Sequence, residues 1–112
     1  MTTRQLAVRD LRRLTTDTIR RVYEEIIDFR PPAQLRDRAQ RILAIAGGQE
    51  VAAVRTSLVD ILDASPNATA AIAPGLQHGW AGEDPALFAA MVRAWISGTP
   101  LPPALEPVAA TN

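Results

Sequence analysis

Residues 42–48 read ILAIAGG, five apolar side chains followed by a pair of glycines. A second run, TAAIAPG at residues 69–75, stops in the same way at a proline and a glycine. Short apolar runs that end at glycine or proline are typical of strands buried on both faces, as in a parallel sheet. The two runs therefore predict strands at residues 42–46 and 69–73.

The segment between the two runs has the pattern of a helix. Its apolar residues fall on one helical face and are Val51, Val54, Leu58, Ile61 and Leu62. Pro66 and Asn67 form a turn signal, so the helix must end before them. A strand, a helix of about a dozen residues and a second strand make a βαβ unit, whose two strands are parallel and adjacent.

The last helix has clear start and stop signals. Asp84 before Pro85 predicts an N-cap followed by proline at the first helical position. Apolar residues at helical spacing follow it, at Phe88, Met91, Val92, Trp95 and Ile96, and Gly98 stands where a helix ends in a left-handed residue. The proline-rich residues 99–112 are expected to be an extended, frayed tail.

The first third of the chain also has helical spacing. Residues 3–29 carry one apolar stripe, and Thr15, Thr16 and Asp17 are a plausible break in it. Two helices, near residues 3–14 and 17–28, and one long helix are both consistent with this pattern. After two prolines, residues 33–40 predict a short polar helix with Leu35 and Ala39 pointing inward.

The composition excludes several kinds of site. The chain has 112 residues, no cysteine and one histidine, so it offers no thiol nucleophile and no polyhistidine metal site. No run reaches the ~18 apolar residues of a membrane helix, and no signal-peptide core follows Met1. We therefore expect one small cytoplasmic domain that has no cofactor, no metal and no membrane partner.

Charge is unevenly distributed along the chain. Residues 1–41 contain ten arginines and six acidic residues, a net charge of +4, and residues 42–112 contain two arginines and six acidic residues, a net charge of −4. One interpretation of the basic third is nucleic-acid binding by residues 4–41. Its arginines alternate with acidic side chains, however, which is typical of a solvated helical surface. We therefore expect no nucleic-acid partner.

Two polar loops follow the predicted strands. The first reads GGQE and ends at Glu50, and the second reads PGLQHGW and contains His78. If the strands are parallel neighbours, both loops leave the same edge of the sheet, and the Glu50 carboxylate meets the His78 imidazole. A carboxylate on one ring nitrogen leaves the other nitrogen free to act as a base. Taken singly, His78 also fits a polar loop residue, and Glu50 fits an acid at the start of a helix.

The order of these features resembles the C-terminal end of the α/β-hydrolase superfamily, over roughly Ile42 to Ile96. The shared order is an apolar strand, Gly-x-x-acid, an amphipathic helix, a Pro-Asn turn, a second strand, Pro-Gly-x-x-His-Gly-Trp and a last helix ending in Arg-Ala-Trp-Ile. In that superfamily the triad acid and the triad histidine follow the last two strands. The resemblance implies that Glu50 is the acid, where aspartate is more usual, and that His78 is the general base.

The resemblance also implies what this region lacks. In the superfamily the nucleophile and the oxyanion hole lie N-terminal to it, and none of Ser57, Ser65 and Ser97 stands in Gly-x-Ser-x-Gly. The sequence therefore predicts an α/β protein with a partial α/β-hydrolase fold. It would be a C-terminal βαβα unit, two parallel strands with covering helices, preceded by lid-like helices. Such a fragment is expected to be inactive alone toward the small-molecule esters or amides of the intact family.

The same assignment divides the chain and suggests partners. The expected segments are a lid-like helical segment at 1–32, the hydrolase-like part at 33–98 and the tail at 99–112. The strand at residues 42–46 would have an open apolar edge, which predicts self-association or a complementing chain at that edge. An alternative from another class is a small helical interaction module that binds a partner through helices at residues 17–28 and 85–97.

Overall fold

The structure is a computed structural model and describes residues 1–111. In chain order, its elements are α1 (Thr3–Arg12), α2 (Thr16–Asp28), a 3-10 helix (Ala33–Asp37), β1 (Ile42–Gly47), α3 (Ala52–Ala64), β2 (Ala68–Ala73), α4 (Trp80–Glu83), α5 (Pro85–Ser97) and β3 (Glu106–Val108). The contacts divide the chain into two units, Met1–Arg30 and Pro31–Asn112. Within residues 1–111, no helix has both the length and the apolar character needed to cross a bilayer.

The first unit consists of α1 and α2. Thr2 starts α1 with a capping box, since its hydroxyl accepts the Gln5 N–H and the Gln5 side chain accepts the Thr2 N–H. Thr15 starts α2 by accepting the Thr18 N–H at 3.1 Å. Of the two interpretations of this segment, the structure has two helices rather than one, because the Thr15 side chain caps the second helix at the predicted break.

The parallel strand pair predicted for the second unit is confirmed. β1 pairs with β2 in a register that runs from Ile42 opposite Ala68 to Gly47 opposite Ala73. The helix α3 lies between the two strands in sequence and forms the crossover that parallel neighbours require. The unit is therefore mixed α/β rather than all-helical.

The outer edge of β1 is open, as the sequence predicted. The strand order is β1-β2-β3, and no other strand of residues 1–111 lies beside β1. The N–H groups of Ile42 and Gly48 both donate to carbonyl groups on the β2 side. Because backbone groups alternate in direction along a strand, those of Leu43 and Ile45 point toward the open side.

The prediction of a frayed tail over residues 99–112 is wrong for its middle part. β3 lies in this segment and pairs antiparallel with β2, with Ala70 opposite Val108. Leu105, just before β3, is buried in the core. Pro107 is tolerated because an edge strand does not need every N–H for its ladder. The sheet is consequently mixed and three-stranded, rather than the expected pair of parallel strands.

The core covers both faces of β2, because successive side chains of a strand point to opposite sides. One buried cluster, on the side of α3, consists of Ala46, Leu58, Ala70 and Ile72. The other consists of Ala71, Ala73, Trp80, Met91 and Leu105. Burial on both faces explains why the strand sequence is a continuous apolar run without polar alternation.

The helix α5 begins and ends where the sequence predicted. The Asp84 carboxylate accepts the Leu87 N–H at 3.0 Å, and Pro85 occupies the first turn. Gly98 ends the helix with a left-handed φ of 69°. These two signals fix how α5 enters and leaves the core on its side of the sheet.

Two short elements differ from the sequence prediction. The polar helix expected at residues 33–40 is a 3-10 helix that ends at Asp37. Leu35 is half-buried, but Ala39, which was expected to point inward, is exposed. Trp80, expected in a loop, begins the short helix α4 and is buried. Its indole packs edge to face on Phe88, and this tertiary contact cannot be seen in local periodicity.

Candidate functional site

The loops that follow β1 and β2 lie against each other at one edge of the sheet. The Gly48 N–H donates to the Ala73 carbonyl at 2.8 Å, and the Gln49 N–H donates to the Leu76 carbonyl at 2.9 Å. A Cβ atom on Gly47 would lie 2.5 Å from the Leu76 carbonyl oxygen, which is closer than real Cβ contacts. Only glycine at position 47 therefore allows the two loops to approach this closely.

Glu50 stands at the end of the first loop with its carboxylate fixed at both oxygens. Its backbone N–H donates to the Gly47 carbonyl at 3.2 Å, which closes a tight turn. Its Oε2 accepts the Gly47 N–H at 2.9 Å, and its Oε1 lies 2.5 Å from Nδ1 of His78. The Glu50 side chain is only 8% exposed, so these contacts hold a buried carboxylate in one orientation.

His78 presents its ring to solvent from the second loop. Its side chain is 92% exposed, and its Nδ1 is held by Glu50 Oε1. Among the described residues, no side chain or backbone group forms a hydrogen bond with its Nε2. The structure therefore brings together the two residues that the order of the strands predicted to meet, with the second ring nitrogen facing outward.

The more ordinary interpretation of Glu50, as an acid in the first turn of the following helix, does not match the structure. The helix α3 has Val51 as its N-cap and no acidic residue in its first turn. The Glu50 carboxylate contacts Gly47 and His78 instead of the free N–H groups of α3. Glu50 therefore connects the two loops and does not cap the start of α3.

Two further side chains hold the loops in place, and neither role follows from the sequence. The Glu83 carboxylate accepts the Gln77 N–H at 2.7 Å, immediately before the histidine. Arg55, in α3, donates to the Gly48 carbonyl at 2.9 Å. The Arg55 contact depends on how α3 turns back over the first loop. No local sequence signal indicates either contact.

A shallow depression of about 410 Å³ lies at the pair, lined by Gln49, Glu50, Val51, Val54, Gln77 and His78. It contains apolar and amide groups but no hydroxyl group. The three serines have other positions. Ser57 donates to the Ala53 carbonyl within α3, Ser65 is buried at the end of α3, and Ser97 ends α5. The described residues thus bring an acid and a base together without a nucleophile between them.

The positions of the side chains at and around the site show which chemistry the described residues can support. No group of three or more histidine or acidic side chains within residues 1–111 is arranged to hold a metal ion. The Glu50–His78 pair has the geometry of an acid that fixes the tautomer of an imidazole, which leaves Nε2 to accept or give a proton. The arrangement is therefore suited to acid–base chemistry at the outward-facing nitrogen.

Comparisons with known proteins add no family to these observations. No family model, no curated protein and no solved structure matches the chain. The site is therefore defined by its own geometry: a buried carboxylate and an exposed imidazole on two loops that follow neighbouring parallel strands.

Proposed function

We propose that this chain carries the acid–base pair of an α/β-hydrolase-type enzyme that cleaves an ester or amide bond, with His78 as general base and Glu50 as the acid that orients it. The observation that carries the proposal is the 2.5 Å contact between Glu50 Oε1 and His78 Nδ1. Both residues follow parallel strands at the sheet edge where open α/β folds bind their ligands. Their order, acid before histidine, is also that of the superfamily.

In the proposed reaction, His78 Nδ1–H donates to Glu50, which leaves the lone pair on Nε2. Nε2 accepts a proton from a hydroxyl group while the hydroxyl oxygen bonds to the carbonyl carbon of the substrate. The imidazolium then gives this proton to the leaving alcohol or amine as its bond to carbon breaks. Water repeats the two steps on the acyl intermediate and releases the carboxylic acid.

The distribution of burial supports a chemical role over a purely structural one. Burying a carboxylate costs free energy, and a pair with one exposed partner returns little stability. Here the acid is 8% exposed and the imidazole is 92% exposed. A histidine that only held the two loops together would not need to expose its ring, whereas a base must reach its substrate.

The nucleophile in this proposal comes from another segment or another chain. The depression at His78 contains no hydroxyl side chain among the residues described. The exposed Nε2 and the open surface around it leave room for a serine or threonine from outside to approach. The substrate class in this proposal is a small-molecule ester or amide, which is that of the superfamily the site resembles.

The test uses the hydrolysis of an activated ester, p-nitrophenyl acetate, which an oriented imidazole can attack without a serine. His78 is the only histidine, so His78→Ala removes every imidazole from the protein. We expect the protein-dependent rate to disappear in His78→Ala. We expect Glu50→Gln to lower it about tenfold, because the ring loses the carboxylate that orients it.

The matched control is Glu25→Gln, which removes one exposed carboxylate from α2. This variant should keep the full rate, since Glu25 belongs to the first unit and is not one of the residues of the site. Circular dichroism melts of all variants separate loss of chemistry from loss of fold. Equal rates for the wild type and His78→Ala, in folded protein, would overturn the proposal.

A further inference from the structure

The backbone just before His78 is fixed by hydrogen bonds to both of its polar groups. The Gln77 N–H donates to Oε1 of Glu83 at 2.7 Å, and the Gln77 carbonyl accepts the Trp80 N–H at 3.1 Å. Trp80 is buried in the core. His78 and Gly79 are therefore the exposed middle of a short turn whose two ends are held.

Glu83 reaches Gln77 because the helix α4 is a single turn that follows the second loop directly. The Glu83 N–H donates to the Gly79 carbonyl at 3.3 Å, which brings residue 83 back beside the start of this turn. On its other side, Asp84 is fixed as the N-cap of α5. The backbone of Glu83 thus lies between two residues that are tied to the rest of the unit, Trp80 and Asp84.

The contact between Glu83 and Gln77 contributes little stability. Both residues are exposed, so water can accept a hydrogen bond from the Gln77 N–H when the carboxylate is removed. An exposed charged group likewise adds little to the free energy of unfolding. Unlike water, however, Glu83 is part of α4, and it limits how far Gln77 can move. The contact therefore acts mainly on the position of the next residue, His78.

Glu50 alone does not fix the His78 ring. It holds the imidazole at one atom, Nδ1, and the ring can still turn about its side-chain bonds or move with its loop. The ring is 92% exposed, so few neighbouring atoms restrain it. The position of the backbone at His78 therefore decides whether Nδ1 stays within reach of the carboxylate.

We propose that Glu83 is a positioning residue of the Glu50–His78 pair, which sets where the ring meets the carboxylate by holding the Gln77 N–H. This inference rests on the proposed role of His78 as a general base. Nδ1 and Glu50 Oε1 are 2.5 Å apart, and a shift of about 1 Å takes them beyond normal hydrogen-bond distance. Displacements of that size can lower a reaction rate about a hundredfold.

The first test observes the ring directly, since His78 is the only histidine. In the full chain labelled with ¹⁵N at histidine, the ring nitrogens give one pair of NMR signals, whose chemical shifts show which nitrogen carries the proton. At alkaline pH we expect the wild type to carry it on Nδ1, because this N–H donates to Glu50. In Glu83→Ala we expect a mixture of both tautomers, because the ring is no longer held against the carboxylate.

The second test compares the same variants in the hydrolysis of p-nitrophenyl acetate. Glu83→Ala should lower the His78-dependent rate about fivefold, because the ring spends less time in the productive orientation. Its melting temperature should fall by no more than a few degrees, since the lost contact is exposed. A role in stability alone would instead lower the melting temperature and leave the tautomer of the folded protein unchanged.

Glu83→Gln separates the hydrogen bond from the negative charge. Its side-chain amide keeps an oxygen that can accept the Gln77 N–H. This variant should therefore retain the wild-type tautomer and at least about half of the rate.

The matched control is Glu106→Ala, which removes another exposed carboxylate from the same unit. Glu106 lies in β3 and does not line the depression at His78. This variant should keep both the tautomer and the rate of the wild type. Circular dichroism checks that all three variants are folded.

Two results would overturn the proposal. One is that the ring of folded Glu83→Ala keeps the tautomer of the wild type. The other is that Glu83→Gln or Glu106→Ala changes the tautomer as much as Glu83→Ala does. Failure of the hydrolase proposal gives a different result, which is the absence of His78-dependent hydrolysis in the wild type. In that case the tautomers of the Glu83 variants still decide whether Glu83 positions the ring.

Discussion

Gly47 and Gln77 lie in direct backbone contact, although they belong to loops that follow different strands. A Cβ atom at position 47 would come within 2.7 Å of the Gln77 carbonyl carbon. This contact sets the separation of the two loops, and the same loops carry Glu50 and His78. The acid–base pair therefore depends on a residue that has no functional group of its own.

Gly47→Ala should both destabilise the protein and separate the pair. The new methyl group meets backbone carbonyl groups, which cannot rotate away, so a loop must move. We expect a loss of about 1–3 kcal/mol in the free energy of unfolding, as for an overpacked site. Urea unfolding measures this loss. The ester hydrolysis rate should fall together with stability, because His78 moves with its loop.

Gly82→Ala is the control for this substitution. No atom lies within 4 Å of a Cβ atom at Gly82, and its φ is not positive. Gly82 lies in the short helix α4, where alanine is the better helix former. The stability of this variant should equal or exceed that of the wild type. A similar loss in both variants would contradict the steric argument.

A second prediction concerns Arg41 and Trp95, which are 54 residues apart in sequence. The Arg41 guanidinium carbon lies 4.4 Å from the Trp95 ring centroid, and Arg41 Nη2 donates to the Trp95 carbonyl at 2.9 Å. The second contact satisfies a carbonyl group near the C-terminus of α5 and places a cation there. Arg41→Gln should lower the free energy of unfolding by about 1 kcal/mol.

Arg93→Gln is the matched change for Arg41→Gln, since it removes an arginine from α5, the helix that Arg41 contacts. Arg93 is exposed on α5 and has no ion pair or side-chain hydrogen bond in the structure. In chemical denaturation, the free energy of unfolding of Arg41→Gln should be lower than that of Arg93→Gln by most of the predicted loss of about 1 kcal/mol. If both lose the same stability, the contribution comes from net charge rather than from the Trp95 contact.

The sequence was informative where the signals are local. Two apolar runs that stop at glycine predicted β1, β2 and their parallel pairing, and the parallel edge predicted that Glu50 would meet His78. Asp84 and Gly98 predicted the ends of α5. Such signals need only a few neighbouring residues, because caps, turns and strand ends are local structures.

The features that the sequence did not predict depend on distant packing. β3 lies in a segment whose prolines indicate an extended tail, and only its docking on β2 makes it a strand. The bracing by Glu83 and Arg55 depends on the path of the chain around both loops. In the sequence, Gly47 resembles any glycine that ends a strand. Its close contact with the second loop becomes visible only in the three-dimensional structure.

A third prediction tests whether the tail belongs to the core. Leu105 is buried among Ala71, Trp80 and Met91, although the segment around it is rich in proline. Leu105→Ala should lower the free energy of unfolding by about 2–5 kcal/mol, as for other leucines removed from a core. Glu106→Ala changes the exposed neighbour and should have little effect. Equal denaturation midpoints for the two variants would indicate that the tail is frayed, as its composition suggests, and that Leu105 does not belong to the core.

The last prediction has the opposite sign. Ser65 is 2% exposed, and its hydroxyl group has no hydrogen-bond partner among the described residues. A buried hydroxyl without a partner costs free energy, so Ser65→Ala should stabilise the protein by about 1 kcal/mol and raise its melting temperature by a few degrees. The backbone N–H of residue 65 keeps its bond to the Ile61 carbonyl in this variant.

Ser57→Ala separates this effect from a general gain on replacing serine. The Ser57 hydroxyl is exposed and donates to the Ala53 carbonyl, so its removal should change stability by less than about 0.5 kcal/mol. Calorimetric melts of the two variants give the comparison directly. A loss of stability in Ser65→Ala would mean that the hydroxyl does have a partner, such as a buried water, at the junction between α3 and β2.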